Sequence, residues 1–233
     1  MTALRLAIIG DGKMGQAVRA LAGDAGFDVV AMLGENDVAA TGPSLAQLTG
    51  AQVAIEFTVP AAAAANVIAC AKAGVAVVCG TTGWDAQRSA TEDAVREAGG
   101  ALFWSPNFSI GVHVFARIVE RAAAEMATLP ERFDVLLIET HHAAKKDAPS
   151  GTARLLADRA MNALGREVPI TSVRTGHVPG THELVFDAPF EQVRLTHEAR
   201  DRRVFAAGAL TAAKWLVGQK KGVFGMNDLL GTR

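Results

Sequence analysis

Residues 139–153, which read ETHHAAKKDAPSGTA, bring two histidines, two lysines and two acids close together. His141 or His142 could hold or pass a proton, because an imidazole titrates near neutral pH. Lys145 adds a full positive charge. A cation beside a proton donor can stabilise a developing negative charge and then neutralise it. Taken alone, the paired lysines also fit a second interpretation, in which they simply face solvent.

The end of the same run can bind an anion. Ser150 or Thr152 could cap the amphipathic helical pattern that follows, because both carry a side-chain oxygen. Gly151 has no Cβ to keep a ligand away from the backbone. The first turn of a helix offers N–H donors and the positive end of the helix dipole. The stretch therefore predicts a carboxylate clamp next to the proton-transfer groups.

Other chemistries fit these residues poorly. His141 and His142 are adjacent and would face opposite sides of a strand, so they cannot readily share one ion. The only cysteines, Cys70 and Cys79, form no paired metal-ligand spacing, and no metal site is expected. Ser150 lacks the Gly-x-Ser-x-Gly surroundings of an activated nucleophile.

A second candidate site begins at residue 10, where GDGKMG follows a short apolar run. Gly10, Gly12 and Gly15 have the Gly-x-Gly-x-x-Gly spacing, placed between a strand pattern and a helical pattern. Gly10 permits a tight turn, Gly12 lets the backbone approach a pyrophosphate, and Gly15 allows close packing of helix on strand. In this context the motif predicts a dinucleotide site, and an ordinary glycine turn is the alternative.

Glu35 ends the second strand pattern, about 20 residues beyond the glycines, where a dinucleotide fingerprint places an acid. A carboxylate there accepts hydrogen bonds from both ribose hydroxyls and repels a 2′-phosphate. Glu35 therefore favours NADH over NADPH. Lys13 lies inside the glycine loop and favours a phosphate instead, so the residues leave the choice of cofactor open.

Three further residues follow the third and fourth strand patterns. Thr58 lies in EFTVP, and Gly80 and Thr82 lie in GTTGW. In doubly wound sheets, ligands bind beyond the carboxyl ends of the strands. These residues are therefore candidates for contact with the ribose or nicotinamide end of the cofactor.

The elements that must position both sites change character along the chain. The first half alternates strand and helix patterns, with strands at LRLAIIG, FDVVAML, AQVAIEFT, VAVVCG and ALFW. Such alternation predicts a Rossmann-like, doubly wound parallel sheet with helices on both faces, and hence an α/β domain. The second half carries consecutive strand patterns at FDVLLIETHH, ITSVRT, HELVFD and EQVRLTHEA. It predicts a C-terminal α+β domain with a mixed or antiparallel sheet.

We place the domain boundary near residue 110. Residues 1–109, with a returning tail from about residue 214 to 233, form the dinucleotide-binding domain. Residues 110–213 form the substrate-binding domain.

Composition narrows the class of protein. Of the 233 residues, 50% are hydrophobic and 20% are charged, which indicates a globular chain. A formal net charge of −1 gives no bulk attraction to nucleic acid or to an anionic membrane. No apolar run reaches the roughly 18 residues of a membrane span. With two cysteines expected to be buried and reduced, the chain is predicted to be cytoplasmic.

With these residues in view, the stretch ETHHAAKKDAPSGTA closely resembles the signature of the 4-hydroxy-tetrahydrodipicolinate reductase (dihydrodipicolinate reductase) family. The resemblance extends in order over GDGKMG, EFTVP, GTTGW, SPNFSIGV, RTGHVPGTHEL, THEARDRRVFAAGAL and GVFGMNDLL, nearly the whole chain. It implies reduction of a cyclic imine dicarboxylate with NADH or NADPH in the diaminopimelate route to lysine. It also implies a homotetramer joined through the C-terminal sheets, so that residues 110–213 serve oligomerisation as well.

The resemblance also implies roles for individual residues. His141 takes the place of the catalytic histidine and Lys145 that of a lysine proton donor, and either could deliver the proton. The positions that hold the substrate carboxylates are His142, Lys145, Ser150, Gly151 and Thr152. The cofactor loop comprises Gly10, Asp11, Gly12, Lys13, Met14 and Gly15, and the nicotinamide side comprises Gly80, Thr82, Pro106, Asn107 and Phe108.

The chain departs from the family pattern at four places. The glycine loop is one residue shorter than in many members, Glu56 replaces an aspartate, and His113 stands where asparagine is common. The LGEND stretch also lacks an arginine that some members carry there, which leaves Glu35 as the indication for NADH. Two other functions were weighed: another Rossmann amino-acid dehydrogenase, and a non-catalytic dinucleotide-sensing module. Neither should carry the His-His-x-x-Lys and Ser-Gly-Thr residues together.

Overall fold

The structure is a computed structural model that describes residues 2–129, 133–219 and 221–231. Within this part of the chain the elements, in chain order, are β1 (Leu4–Ile9), α1 (Lys13–Ala22), β2 (Phe27–Leu33), β3 (Val53–Glu56), α2 (Pro60–Lys72), β4 (Ala76–Cys79), α3 (Asp85–Glu97), β5 (Ala101–Trp104), α4 (Ile110–Met126), β6 (Asp134–His141), α5 (Gly151–Leu164), β7 (Ile170–Arg174), β8 (Thr181–Ala188), β9 (Glu191–Glu198), α6 (Arg203–Val217), β10 (Gly222–Phe224) and α7 (Met226–Leu229). They form two compact units, Met1–Ser109 with Arg203–Arg233, and Ile110–Arg202.

The first unit is built on a parallel sheet with the strand order β10-β5-β4-β3-β1-β2. Its strands are apolar at successive positions because helices cover both faces. Leu6 and Ile8 pack toward α1 and α6, whereas Ala7 and Ile9 pack toward α2 and α3. The predicted Rossmann-like, doubly wound architecture is confirmed.

The second unit contains a mixed sheet with the order β7-β6-β8-β9, in which β6 pairs in parallel with β7 and antiparallel with β8. Helices α4 and α5 cover one face, where Leu137 and Leu184 join the core. Side chains alternate along a strand, so the buried positions of β6 run on from Leu137 to Glu139 and His141. The sheet thus places two ionisable side chains at the end of its apolar face, and the predicted α+β domain is confirmed.

Helix α6 belongs to the first unit, whereas the sequence analysis assigned it to the second. The chain returns at Arg203 rather than at about residue 214. The cause is the small apolar face of α6, on which Ala209 and Ala213 pack into the core of the parallel sheet. The rest of the predicted tail adds β10, which pairs with β5, while Lys220, Thr232 and Arg233 lie outside the described residues.

Both cysteines are buried, free thiols in the first unit. Burial, with a smaller contribution from the Glu56 carboxylate, raises the pKa of Cys70 to about 12 and raises that of Cys79 well above its usual value. The two thiols therefore stay protonated and contribute packing rather than reactivity.

None of the helices in the described ranges has the length and apolar character needed to cross a bilayer.

Candidate active site

The glycine loop forms a close-fitting cradle in the first unit. Gly10 has φ +105°, and a Cβ there would overlap the carbonyl oxygen of Phe57. A Cβ at Gly15 would overlap the carbonyl oxygen of Gly10, so α1 lies directly against the end of β1. Gly12 faces open space, with no atom within 4 Å of its Cβ position. The tight turn, open backbone and helix start that a dinucleotide pyrophosphate needs are all present.

A groove of about 420 Å³ extends from this loop to the end of β2. Glu35 is exposed and lines the groove together with Asp11 and Gly34. The Asp11 carboxylate lies over Gly34, where an added Cβ would be 2.6 Å from its nearer oxygen. Asp37 accepts a hydrogen bond from the Gly34 N–H at 2.7 Å. The carboxylates of Asp11 and Glu35 therefore line this end of the groove, and Asp37 holds the turn at Gly34.

A second groove of about 410 Å³ brings together predicted cofactor residues from three loops. They are Gly12, Lys13, Met14, Thr58, Gly80 and Thr82. Gly80 is required here because a Cβ would overlap the ring of Phe57. The Thr58 N–H donates to Thr81 Oγ1 at 2.8 Å, and the Thr58 hydroxyl bonds to the buried Glu56 carboxylate. Glu56 thus supports Thr58, which lines this groove.

The loop after β5, predicted to lie on the nicotinamide side, is held by contacts of its own side chains. Phe108 is 2% exposed and packs in the core, with its ring centroid 6.0 Å from Phe57 and 5.8 Å from Phe103. Asn107 uses its side-chain oxygen to accept from the Ser109 N–H at 2.8 Å. Among the described residues, Pro106, Asn107 and Phe108 are absent from the linings of both grooves. Phe108 therefore positions this loop by packing.

In the second unit, the predicted catalytic histidine is paired with a carboxylate. His141 is the last residue of β6, and its Nδ1 bonds to Oε2 of Glu139, two residues earlier on the same face. Glu139 is fully buried, and its other oxygen accepts from Arg174 Nη2 at 2.6 Å. Burial alone would raise the pKa of Glu139, but hydrogen bonds from Arg174, Ser172 and His141 lower it to about 2. Glu139 is therefore ionised, so Nδ1 of His141 carries the hydrogen of their shared bond.

Burial lowers the pKa of His141 from its usual value, and the Glu139 carboxylate opposes this effect. His182, on β8, is 4% exposed, and burial together with nearby His141 lowers its pKa to about 4. The two rings meet edge to face, with centroids 5.2 Å apart. His182 is consequently neutral near pH 7, and His141 has the environment of a proton carrier.

Lys145 lies in the loop between β6 and α5, with its side chain 23% exposed. Its ammonium group pairs with the Asp147 carboxylate at 2.7 Å, and this contact lowers the pKa of Asp147. Arg174 donates to the Asp147 carbonyl oxygen at 2.7 Å and so fixes the same loop. His142 is half-buried and directly follows β6.

The predicted anion clamp is the first turn of α5. Ser150 caps the helix, its Oγ accepting from the Ala153 N–H at 3.1 Å and contacting His182 Nε2 at 3.2 Å. The Ser150 N–H donates to Glu139 at 3.3 Å. Ser150 is thus 2% exposed and engaged in positioning the turn. Gly151 faces open space and Thr152 is half-buried, which leaves this side of the helix start accessible.

Glu139, His141 and His182 also offer three possible metal-ligand atoms within 4.8 Å of one another. The carboxylate is already bonded to Arg174 and His141. A divalent cation held by Oε2 and Nδ1 would have to replace the hydrogen that these two atoms share, so the arrangement favours proton transfer over metal binding. The absence of a metal requirement stays a prediction.

Sequence reasoning missed Glu139, Arg174 and His182 as members of this site. The available signal was the two-residue spacing of Glu139 and His141, which puts both on one face of a strand. The partners on β7 and β8 become visible only once those strands pair with β6.

Comparison with known protein families matches both units. Residues 4–108 match the family model described as "Dihydrodipicolinate reductase, N-terminus", and residues 111–230 match "Dihydrodipicolinate reductase, C-terminus". The 4-hydroxy-tetrahydrodipicolinate reductase of Methanosarcina mazei is 40% identical over 199 residues, which cover 78% of this chain and 74% of that protein. The protein of the same name from Thiobacillus denitrificans is 36% identical over 99% of both chains.

Solved structures show the same relationship. A dipicolinate-bound dihydrodipicolinate reductase from Paenisporosarcina sp. TG-14 has a TM-score of 0.78 and 25% identity, covering 97% of this chain and 99% of that one. An amine dehydrogenase from Mycobacterium smegmatis reaches a TM-score of 0.56 at 12% identity, covering 96% of this chain and 95% of that one. The second likeness shows a shared fold alone.

Proposed function

The chain belongs to the dihydrodipicolinate reductase family, and from this premise we propose how its own residues carry out the family's reaction. It is an NAD(P)H-dependent oxidoreductase that reduces 4-hydroxy-tetrahydrodipicolinate to tetrahydrodipicolinate, a step in the diaminopimelate route to lysine. The observation that carries the proposed mechanism is the Glu139–His141 pair at the end of β6, which adjoins the Ser150 cap of α5.

The first turn of α5 holds the substrate carboxylates. Gly151 and Thr152 lie in the first turn, at the positive end of the helix, and His142 and Lys145 add polar and charged donors. The Lys145 ammonium group forms an ion pair with Asp147, so a substrate carboxylate competes with Asp147 for it. Ser150 acts through the helix cap rather than by direct contact. The dipicolinate bound to the Paenisporosarcina relative is itself a ring dicarboxylate, and it supports this assignment.

The proton for the reduced ring comes from His141 or Lys145. Protonated His141 gives up the hydrogen on Nε2 and becomes the neutral ring, which keeps its Nδ1–H bonded to the Glu139 carboxylate. Lys145 lowers the energy of negative charge on the ring by its full positive charge and can also donate. Both routes use groups of the second unit.

The glycine cradle and the two grooves of the first unit fit a nicotinamide dinucleotide. When bound, that cofactor supplies the hydride that reduces the substrate ring. The open backbone at Gly12 and the start of α1 take the pyrophosphate. Gly80, Thr58 and Thr82 line the nicotinamide side, and Phe108 holds the neighbouring loop. The carboxylates of Asp11 and Glu35 favour NADH over NADPH.

Three broader features are part of the same proposal. The chain assembles as a homotetramer through the face of the second sheet that α4 and α5 leave uncovered. It works in the cytoplasm on a small-molecule dicarboxylate, without nucleic acid or membrane partners. No metal takes part in its reaction.

The first test is a coupled assay in which a synthase makes the substrate from pyruvate and aspartate semialdehyde. We expect the wild-type chain to consume NADH or NADPH only when the synthase is present. We expect Lys145→Ala to lower kcat by about 100-fold or more, the usual size of a lost proton donor, while the Kd for NADH stays unchanged. Lys146→Ala is the matched control, because Lys146 is the exposed neighbour.

An equal loss of kcat and NADH affinity in Lys145→Ala would remove Lys145 from the chemistry. NADH binding without any turnover by the wild-type chain would favour the dinucleotide-sensing module. Turnover of an amino acid in place of the cyclic imine would favour the dehydrogenase alternative.

A further inference from the structure

We propose that Glu139 is the positioning residue for His141. Its buried carboxylate also links the His141 imidazole to the first turn of α5, which is the clamp for the substrate carboxylates. The inference rests on the proposed function, because it treats His141 as a group that acts on the substrate. Glu139 itself is fully buried and does not face the ligand. It acts on the reaction only through the residues that it holds.

Each oxygen of the Glu139 carboxylate has at least one hydrogen-bond partner. Oε2 bonds to Nδ1 of His141. Oε1 accepts from Arg174 Nη2 at 2.6 Å and from the Ser150 N–H at 3.3 Å. Both oxygens are therefore held in place, and the carboxylate can neither rotate nor protonate readily. A fixed acceptor beside Nδ1 fixes the orientation and the tautomer of the imidazole.

The tautomer leaves Nε2 as the working nitrogen of His141. This atom lies against Gly180, where a Cβ would come within 3.0 Å of it. Gly180 has φ +153°, a backbone conformation that favours glycine. The missing side chain at this residue keeps space beside Nε2, and Glu139 ensures that Nε2 rather than Nδ1 uses that space.

The negative charge of Glu139 also affects the protonation of His141. The charged and titratable groups that face His141 are Glu139 from β6, Arg174 from β7, His182 from β8 and Lys145 from the loop before α5. Burial lowers the pKa of His141, and Lys145 and Arg174 lower it further. Glu139 is the only one of these four that favours the protonated ring. Without its charge, His141 would lose its proton at a lower pH.

Glu139 also connects His141 to the first turn of α5, the carboxylate clamp. Ser150 caps α5 and donates its backbone N–H to Glu139. The same carboxylate therefore fixes where the helix begins and how the imidazole is turned. His182 strengthens this link, because its Nε2 contacts the Ser150 hydroxyl at 3.2 Å.

The test compares Glu139→Gln with the wild-type chain over a range of pH. Glutamine keeps the shape of the side chain and removes its charge. We expect kcat to fall by about 10- to 100-fold, with the KM for NADH within about twofold. We expect the alkaline limb of the kcat profile to move to lower pH by about one unit, because His141 loses the charge that favours its protonated form.

Two variants separate this effect from simple damage. Glu139→Asp keeps the charge and should keep the alkaline limb near its wild-type pH, even if the rate falls. Glu120→Gln is the matched control, since Glu120 lies on α4 of the same unit, outside the site, and pairs with Arg159 of α5. An unmoved alkaline limb in Glu139→Gln would overturn the proposal.

A measurement on the wild-type chain keeps the proposal testable if Glu139→Gln does not fold. Ring ¹⁵N chemical shifts of His141, assigned from their loss in His141→Asn, report which nitrogen carries the hydrogen in the neutral form. We expect Nδ1–H, and an Nε2–H tautomer would refute the role of Glu139. This readout needs no turnover, so a failure of the proposed reaction would be seen separately in the coupled assay.

Discussion

At the scale of one residue, we predict that Glu35 contributes to the choice between NADH and NADPH. It lines the groove together with the Asp11 carboxylate, so a 2′-phosphate bound there would meet two like charges. We expect Glu35→Gln to raise kcat/KM for NADPH relative to NADH about five- to tenfold. This corresponds to roughly 1 kcal/mol of like-charge repulsion near a surface.

Discrimination against NADPH should not disappear in Glu35→Gln, because Asp11 keeps its charge over Gly34. Asp28→Asn is the matched control, since Asp28 is exposed near the start of β2, at the other end of the strand from Glu35. It should leave the ratio of the two kcat/KM values unchanged. An unchanged ratio in Glu35→Gln as well would exclude Glu35 from cofactor selection.

The sequence predicted residues whose signal is local. Glu35 lies about 20 residues beyond the glycines. The Ser-Gly-Thr residues predict a helix cap, and Ser150 does cap α5. Glu139 gave only a weak signal, because the role of a carboxylate at the end of an apolar run is not evident until its partners are known. Arg174 and His182 reach it across two strand pairings. Pairing partners separated by more than 30 residues lie beyond any pattern based on local spacing.

At the scale of the element, α6 depends on one close approach to the loop after β5. A Cβ at Gly208 would overlap the carbonyl oxygen of Phe108. We expect Gly208→Ala to lower the free energy of unfolding of the first unit by about 1–3 kcal/mol, because a backbone carbonyl cannot move aside without disturbing the packed core. All three tryptophans lie in this unit, so the urea midpoint measured by tryptophan fluorescence reports on it.

Gly23→Ala provides the same chemical change without a clash. Gly23 ends α1 in a helical conformation, and nothing lies within 4 Å of its Cβ position. Its substitution should change the free energy of unfolding by no more than about 1 kcal/mol, in the stabilising direction. Equal urea midpoints for Gly208→Ala and the wild-type chain would mean that α6 does not pack on the first unit as described.

The same helix shows why the domain boundary was harder to predict than the elements. The pattern RRVFAAGALTAAKWLV identifies a helix, and α6 occupies Arg203–Val217. Its alanines and glycine, however, are compatible with packing on either sheet, because small side chains set no particular partner. The choice is made by the fit of Gly208 to Phe108, a contact between residues 100 positions apart. Local sequence is enough to predict that a segment is helical, but not to predict the sheet on which the helix packs.

At the scale of the whole molecule, α4 and α5 cover only one face of the second sheet, and no other described helix of that unit lies on its opposite face. Leu137 and Leu184 face α4 and α5, whereas alternate residues such as Ile138 and Val173 point to the other side. Val173 is 37% exposed. Apolar residues on an uncovered face of a sheet are typical of a surface that another chain covers. This face is the physical basis for the proposed assembly, which the family resemblance alone first indicated.

We expect the wild-type chain to sediment as four copies of its 24.3 kDa mass and Val173→Glu to sediment as smaller species at micromolar concentration. An unpaired carboxylate buried between chains costs several kcal/mol, whereas on a free surface it costs little. Leu45→Glu is the matched control, because Leu45 is 69% exposed and lies in the first unit. A tetramer that survives Val173→Glu would place the interface elsewhere, and a wild-type monomer at every concentration would refute the assembly. Because the cofactor grooves belong to the first unit, NADH binding by the dissociated variant should persist.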